Sequence, residues 1–363
     1  MDISTPRKIG KSRLAVTPLG FGGAPIGSAD VSAAVSVQTV ATAWDTGVRF
    51  FDTAPWYGIG RSERRIGVAL EGLGARDELV LNTKVGRTLI PEPEPLEASE
   101  TRSPSGQERT PRDPRSGFRV AFGYTEEHIH TQHRDSLERL GLSRVDSLTI
   151  HDLDYGYHSD EQVEFHLGEL SRNGGGGARA LEELRAAGAI GAIGAGCNLA
   201  ARNEASWAEG KHDDLYARIA DTVDLDFLVV AGGYTLLETR ALDRLVPLCV
   251  ERDIGVIIAA PYAGGWLATD DESMTYMYAS APSAIVGKSR RMREICAEHG
   301  VPLAAAALQF PLAHPAAAAV IPGAKSPEEA RETGTRLRAP VPQAIWARFK
   351  GEGLIPEDAP TPD

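Results

Sequence analysis

Hydrophobic positions along the chain follow two rhythms. Short runs that are apolar on both faces recur at 19–24, 48–53, 79–85, 145–151, 189–196, 227–231, 255–260 and 318–323, as expected of parallel strands buried on both sides. Between them lie helical stretches, among them 32–46, 62–73, 126–140, 179–187, 239–252 and 289–299. Eight strands alternating with helices close naturally into an α/β fold of the (β/α)8 TIM-barrel type. Around Gly10-Lys11 the segments 7–9 and 12–16 predict a hairpin with a two-residue turn, which would plug the bottom of the barrel before its first strand.

The chain has 363 residues, whereas a bare barrel takes about 250. Four long polar inserts, 87–121, 153–177, 199–223 and 262–287, account for the excess. Each follows a strand, so all fall on the C-terminal rim, where barrel enzymes keep their active sites. The first insert, which contains Pro91, Pro93, Pro95, Pro104, Pro111 and Pro114, reads equally as a lid or as a passive linker. No internal repeat divides the chain, which predicts one domain over 1–350 and a frayed, Pro-rich acidic tail over 351–363.

Composition narrows the function classes. With 42% hydrophobic and 24% charged residues the chain is an ordinary globular protein. Fifty acidic against 38 basic residues give a net charge of -12, which disfavours nucleic acid and anionic membrane as partners and favours a small-molecule substrate. No apolar run approaches the roughly 18 residues of a membrane span, and the N-terminus lacks the apolar segment of a signal peptide, so a cytoplasmic protein is expected. Cys197, Cys249 and Cys296 are widely spaced and odd in number, as fits reduced thiols. No exposed apolar stripe stands out that would set an oligomeric state.

Chemistry concentrates at the strand ends. The second strand runs on through Phe51-Asp52-Thr53-Ala54-Pro55-Trp56-Tyr57-Gly58, the third ends Asn82-Thr83-Lys84-Val85, and the fourth ends Ile150-His151-Asp152. Asp52, Tyr57, Lys84 and His151 thus converge on one mouth, where buried polar groups are costly unless they pair or do chemistry. Taken singly, Asp52 and Lys84 read as a structural ion pair, and a lone Tyr or His as packing. Taken together, they point to catalysis.

Five blocks in order, FFDTAPWYGIGRSERRIGVAL, LNTKVG, TIHD, GAGCN and VIPGAKSPEEA, make the chain resemble the aldo-keto reductases from about residue 7 to 337. Pro55-Trp56, the long insert after the third strand and the GGYTLLE stretch are most similar to the branch of aldose 1-dehydrogenases and pyridoxal 4-dehydrogenase. The resemblance implies that Tyr57 carries the proton, that Lys84 biases the phenol, whose free pKa is about 10, toward phenolate, that Asp52 holds Lys84, and that His151 orients the substrate oxygen. Hydride then passes directly between substrate and nicotinamide, with no metal.

The same resemblance assigns cofactor contacts to Gly22, Gly23, Asp52, Cys197, Asn198, Tyr234, Pro261, Tyr262, Ile321, Gly323, Lys325, Ser326 and Glu329. Asn198 would reach the carboxamide and Tyr262 would stand in for a stacking aromatic, while Ala231 replaces the family's glutamine. Gly323 to Glu329 should open a helix whose N-terminus holds phosphates or adenosine. A carboxylate at Glu329 repels a 2′-phosphate and tolerates a ribose hydroxyl, which reads as NAD over NADP, although Lys325 can meet a phosphate from the other side.

Trp56, Tyr124 and Trp266, with Tyr57 and His151, would wall the substrate, core or lid packing being the alternative for the three aromatics. The spacing of His128, His130 and His133 does not gather on one helix face and reads as a solvated helix rather than a metal site. The implied reaction is oxidation of the hemiacetal carbon of a small cyclic substrate, an aldose such as L-fucose or a D-threo-aldose, or pyridoxal, to a lactone. An NADPH-dependent aldehyde or ketone reductase and a non-catalytic nucleotide-sensing or partner-binding barrel are the alternatives.

Overall fold

A computed structural model describes residues 5–74, 76–91, 112–113, 116–198, 210–269, 274, 276 and 280–363. The chain opens with an antiparallel hairpin of β1 (Arg7–Lys8) and β2 (Ala15–Val16), paired Arg7 to Val16 and Lys8 to Ala15, so the connection is longer than the two-residue turn expected at Gly10-Lys11. Eight parallel strands follow: β3 (Phe21–Gly22), β4 (Phe50–Asp52), β5 (Val80–Val85), β9 (Ser147–His151), β10 (Ala192–Asn198), β11 (Phe227–Ala231), β12 (Gly255–Ala259) and β13 (Ala317–Ile321). Parallel bridges from Leu19 to Val320 and from Gly22 to Gly323 join the last strand to the first and close the barrel. All eight fall within or across the expected runs. The first is trimmed to two residues between Pro18 and Pro25, which have no N–H to donate to a ladder.

Helices fill the connections: α1 (Ala33–Asp45), α2 (Arg61–Leu73), α3 (Glu126–Leu140), α4 (Asp160–Leu170), α5 (Gly177–Ala186), α6 (Lys211–Thr222), α7 (Leu245–Glu251), α8 (Ser283–Glu298), α9 (Leu303–Leu312), α10 (Pro327–Arg338) and α11 (Gln343–Gly351). Side-chain caps explain several starts. Ser32 accepts from the N–H of Val35, Thr125 from His128 and Ser326 from Glu329, each satisfying a donor that has no partner in the first turn.

Two further expectations are corrected, the helix over 239–252 and the frayed tail, and the rim inserts acquire structure of their own. The stretch 239–252 is broken into a turn at Arg240–Leu242 and the short α7, because Pro247 can sit in a first turn but not deeper in a helix. The rim inserts are not plain loops. The first starts and ends in antiparallel β6 (Arg87–Pro91) and β8 (Phe118–Phe122), with β7 (Arg112–Asp113) beside β8, and the second and third carry α4 and α6. Residues 92–111, the part of 87–121 on which a lid or linker reading turns, lie outside the described residues. The C-terminal stretch packs rather than frays: Ile355 and Ala359 are buried in the same core as Trp346 and Phe349, and Gln343 Nε2 donates to the carbonyl of Pro362.

Alternation along the strands sorts side chains into two layers. Phe51, Leu81, Leu148, Ile150, Leu228 and Val230 face the helices in the larger core. Phe50, Phe227, Val229, Ile257, Ala319 and Ile321 face inward and pack with Ile9 and Val16 of the hairpin region. The hairpin is therefore the floor of the barrel, and the polar inward positions lie above it. Ile9→Ala empties that floor and should lower the unfolding free energy by about 2–5 kcal/mol, read as a fall in the urea midpoint at unchanged m-value.

Candidate active site

The same alternation builds the site. From Phe50 the next inward residue on β4 is Asp52. On β5 the inward positions are Asn82 and Lys84, on β9 Thr149 and His151, and on β10 Gly196 and Asn198. Register then lifts them to one level, with Asp52 beside Asn82, Lys84 beside Thr149 and His151 beside Gly196. A Cβ at Gly196 would stand 3.2 Å from the Thr149 methyl.

Lys84 is buried, at 2% exposure, and every direction open to its ammonium is answered. Nζ donates to Asp52 Oδ1 at 2.8 Å, to Asp52 Oδ2 at 2.7 Å and to the carbonyl of Thr53 at 2.9 Å. Asp52 is held in turn by Asn82 Nδ2 at 2.7 Å. Asn82 is fixed in orientation by Ser147 and Thr149, whose hydroxyls donate to its Oδ1 at 2.8 and 3.1 Å. A buried ion pair is tolerable only with its remaining hydrogen-bonding capacity met, and this lattice meets it.

Tyr57 sits on the turn after β4, and its ring centroid is 4.6 Å from Lys84 Nζ. The turn is pinned by the N–H of Tyr57 to Ala54 O at 3.1 Å, the N–H of Ser62 to Tyr57 O at 3.1 Å, and a hydroxyl contact between Thr53 and Ser62 at 2.8 Å. The His151 ring stands edge-on to Tyr57, with centroids 5.9 Å apart at 88°. Burial pushes the imidazole down to about 3, with Lys84 and Arg87 adding to the fall and Asp152 opposing it. His151 is thus neutral throughout the neutral range, and its Nδ1 has no hydrogen-bond partner among the described residues. Asp52, Tyr57, Lys84 and His151 are brought together as expected, as two halves of an ion pair, a phenol and a neutral imidazole around one mouth.

Other expected contacts divide. Trp56 is half-buried beside Tyr57. Tyr124 is fully buried and donates its hydroxyl to the carbonyl of His151 at 2.8 Å, so it braces the site from behind and does not wall the substrate. It needs Gly86, whose φ of +104° turns the chain out of β5 and where a Cβ would lie 2.2 Å from the Tyr124 ring. Trp266 is buried in the main core and donates Nε1 to Met274 O at 3.0 Å, a packing role. Tyr234 is buried too and packs in the main core, with its ring 5.5 Å from Phe310.

Tyr262 turns its hydroxyl toward Thr333 and Arg336 of α10, which oppose the rise that burial gives its pKa. It lies in the helix layer instead of over the strand ends. Gly22 and Gly23 approach the neighbouring backbone so closely that a Cβ would meet Ile321 O at 2.8 Å and Asp52 O at 2.7 Å, which alone requires glycine. Pro261 and Ile321 are buried at strand ends. Cys197 lies on β10, and its side chain falls outside the described residues.

Asn198 is at the rim, and its Nδ2 donates to Asp152 Oδ1 at 2.9 Å. At the opening of α10, Gly323, Lys325 and Glu329 are exposed and Ser326 half-buried. Glu329 accepts the N–H of Lys325 at 2.7 Å, and Lys325 Nζ is 3.3 Å from Asp30. This helix start, bare of side chain at Gly323 and joined to the end of the last barrel strand, fits a nucleotide's phosphates and ribose. Of the His128, His130 and His133 spacing, His128 meets Thr125 at 2.8 Å, and His130 lies by Glu183, with Glu126 close enough to share an ion.

Sequence reasoning passed over Asn82, Asp152 and Arg87. The period of two made Asn82 an inward neighbour of Lys84 and so was a usable signal. Arg87, three residues after Lys84, is fully buried and pairs through Nη1 with Asp152 Oδ2 at 2.5 Å. Nothing in the local pattern marks a polar arginine in an insert as buried.

Comparison with known proteins agrees with this geometry. A family model described as the aldo/keto reductase family matches residues 18–351. A pyridoxal 4-dehydrogenase of Microbacterium luteolum is 36% identical over 98% of this chain and 99% of its own length. A D-threo-aldose 1-dehydrogenase of a Pseudomonas species is 33% identical over 97% and 99%. Among solved structures, an aldo-keto reductase of Bacillus halodurans in its holo form superposes with a TM-score of 0.68 at 22% identity, covering 96% of both chains, which speaks for the fold alone.

The buried imidazoles carry a consequence for stability. His212 is likewise pushed down by burial, to about 4. Between pH of about 6.5 and the folded values the unfolded chain binds more protons, so stability falls as pH falls through that window. Urea midpoints measured from pH 7 to pH 4 should therefore decline, and His151→Gln should flatten the decline.

Proposed function

This chain belongs to the aldo/keto reductase family, and on that premise we propose that it oxidises the hemiacetal carbon of a small cyclic substrate, an aldose or pyridoxal, to a lactone with NAD. The single observation that carries the reading is the Tyr57 ring 4.6 Å from a Lys84 ammonium locked by both oxygens of Asp52. A fixed cation beside a phenol favours the phenolate and so makes Tyr57 a base toward a hydroxyl.

In this reading Tyr57 takes the hydroxyl proton as the carbon–oxygen double bond forms. His151, neutral, offers a hydrogen bond to the same oxygen without competing for its proton. Asp52 and Asn82 do not touch substrate and hold Lys84 in place. Trp56, flat and half-exposed next to Tyr57, presents an apolar face to a ring substrate. When bound, the nicotinamide supplies the hydride acceptor. Asn198 and the opening of α10 at Gly323, Lys325 and Ser326 would hold it, and Glu329 favours a ribose hydroxyl over a 2′-phosphate. Lys325 beside Asp30 supports that preference, because its charge is partly answered already. The substrate class is supported by the two relatives that cover nearly the whole chain.

Absorbance at 340 nm tests the proposal, with NAD and NADP offered separately against aldoses and pyridoxal, and NADPH against aldehydes. Reduction of NAD by a hemiacetal substrate is expected, with Tyr57→Phe losing about 10²–10⁴-fold in kcat while still binding NADH. Oxidation of NADPH by aldehydes alone would contradict the dehydrogenase reading, and undiminished turnover in Tyr57→Phe would contradict the mechanism.

A further inference from the structure

Arg87 has no part in the scheme above, yet its surroundings are costly to build. The guanidinium is fully buried, and its Nε and Nη2 find no hydrogen-bond partner among the described residues. Its central carbon lies 4.1 Å from the ring centroid of Trp56, 4.5 Å from that of Tyr157 and 5.2 Å from that of Phe122. Among the described residues the carboxylate it meets is that of Asp152, at 2.5 Å. A buried pair of this kind is a weak source of stability, because desolvation offsets the attraction.

Asp152 is held under constraint as well. Its φ is +55°, a left-handed backbone that an aspartate tolerates at a cost. Oδ1 accepts from Asn198 at 2.9 Å, and Oδ2, the oxygen Arg87 holds, stands 3.4 Å from His151 Nε2. Its backbone carbonyl meets His158 Nε2 at 3.1 Å. One carboxylate therefore spans the side chain that faces the substrate oxygen and the side chain assigned to the nicotinamide.

We infer that Arg87 and Asp152 form a positioning pair for the reaction. Arg87 fixes the carboxylate that ties His151 to Asn198, so that the substrate-orienting and cofactor-orienting groups keep one geometry, and its stack holds Trp56 beside Tyr57. Planarity matters here as much as charge, since a lysine ammonium does not stack on a ring as a guanidinium does. The inference rests on the roles given above to His151 and Asn198.

The test compares the full chain with Arg87→Met/Asp152→Asn, which removes both charges together and leaves no ion unpaired, and with Arg87→Lys, which keeps the charge and loses the planar stack. Circular dichroism and Tm establish folding, fluorescence titration gives NADH affinity, and steady-state kinetics separate kcat from KM. The double variant should lose about a hundredfold in kcat with KM little changed, and bind NADH about tenfold more weakly, while Arg87→Lys should recover to about tenfold below wild type in kcat. A folded double variant whose kcat and NADH affinity stay within twofold of wild type, even with a lower Tm, overturns the proposal. Should the double variant not fold, Arg87→Lys decides, and a kcat within twofold of wild type overturns it. If the wild type itself turns over no substrate, the dehydrogenase reading falls, and the NADH arm alone judges the pair: a tenfold loss supports it and an unchanged affinity overturns it.

Discussion

A lysine ammonium shut inside an apolar barrel is the constraint from which the rest of the site follows. An unpaired charge at that depth would cost more than the fold could bear, so Lys84 dictates the identity of its neighbours. Asp52 answers it with both oxygens, Thr53 with a carbonyl, and Asn82 holds Asp52 while taking hydroxyl donors from Ser147 and Thr149. Adjacent strands each contribute a member, so the lattice exists only when the barrel is closed in register. Chemistry and fold are in this sense one structure: a strand slipped by a single residue would turn Asp52 or Lys84 outward.

A second layer of charge lies beside the first. Asp52 and Asp152 are balanced by Lys84 and Arg87, two negative against two positive, so the mouth carries no net charge from these four groups. That balance matters for His151, which stands between the pairs. Lys84 and Arg87 add to the fall that burial imposes on it, and Asp152 opposes them. The imidazole is left neutral, as a hydrogen-bonding group must be if it is to orient an oxygen without taking its proton.

Much of this was legible in the chain. The eight strands could be read from apolar runs, and the hairpin in its place though not in its turn length, because strands buried on both faces write their burial into every position. Asp52, Tyr57, Lys84 and His151 stood at strand ends, where topology alone brings them together. What could not be read was burial that depends on distant partners. Tyr124 and Trp266 looked like rim aromatics because they follow strands, and the resemblance gave Tyr234 to the cofactor, but each turns into the core, where its large apolar surface is worth more. Arg87 and Asp152 were missed for the converse reason, since each charge is buried only because the other is there. The C-terminal tail looked polar, and Ile355 and Ala359 were enough to dock it.

The central claim is that the Lys84 cation, held by Asp52 and Asn82, is what allows Tyr57 to take a proton. Single-turnover reduction of NAD at saturating substrate, followed by stopped-flow absorbance at 340 nm in wild type and in Lys84→Met, tests it most directly because product release does not enter. The account predicts a hydride-transfer rate lower by about 10²-fold or more in the variant, with NAD binding retained. A Lys84→Met rate within threefold of wild type would contradict it.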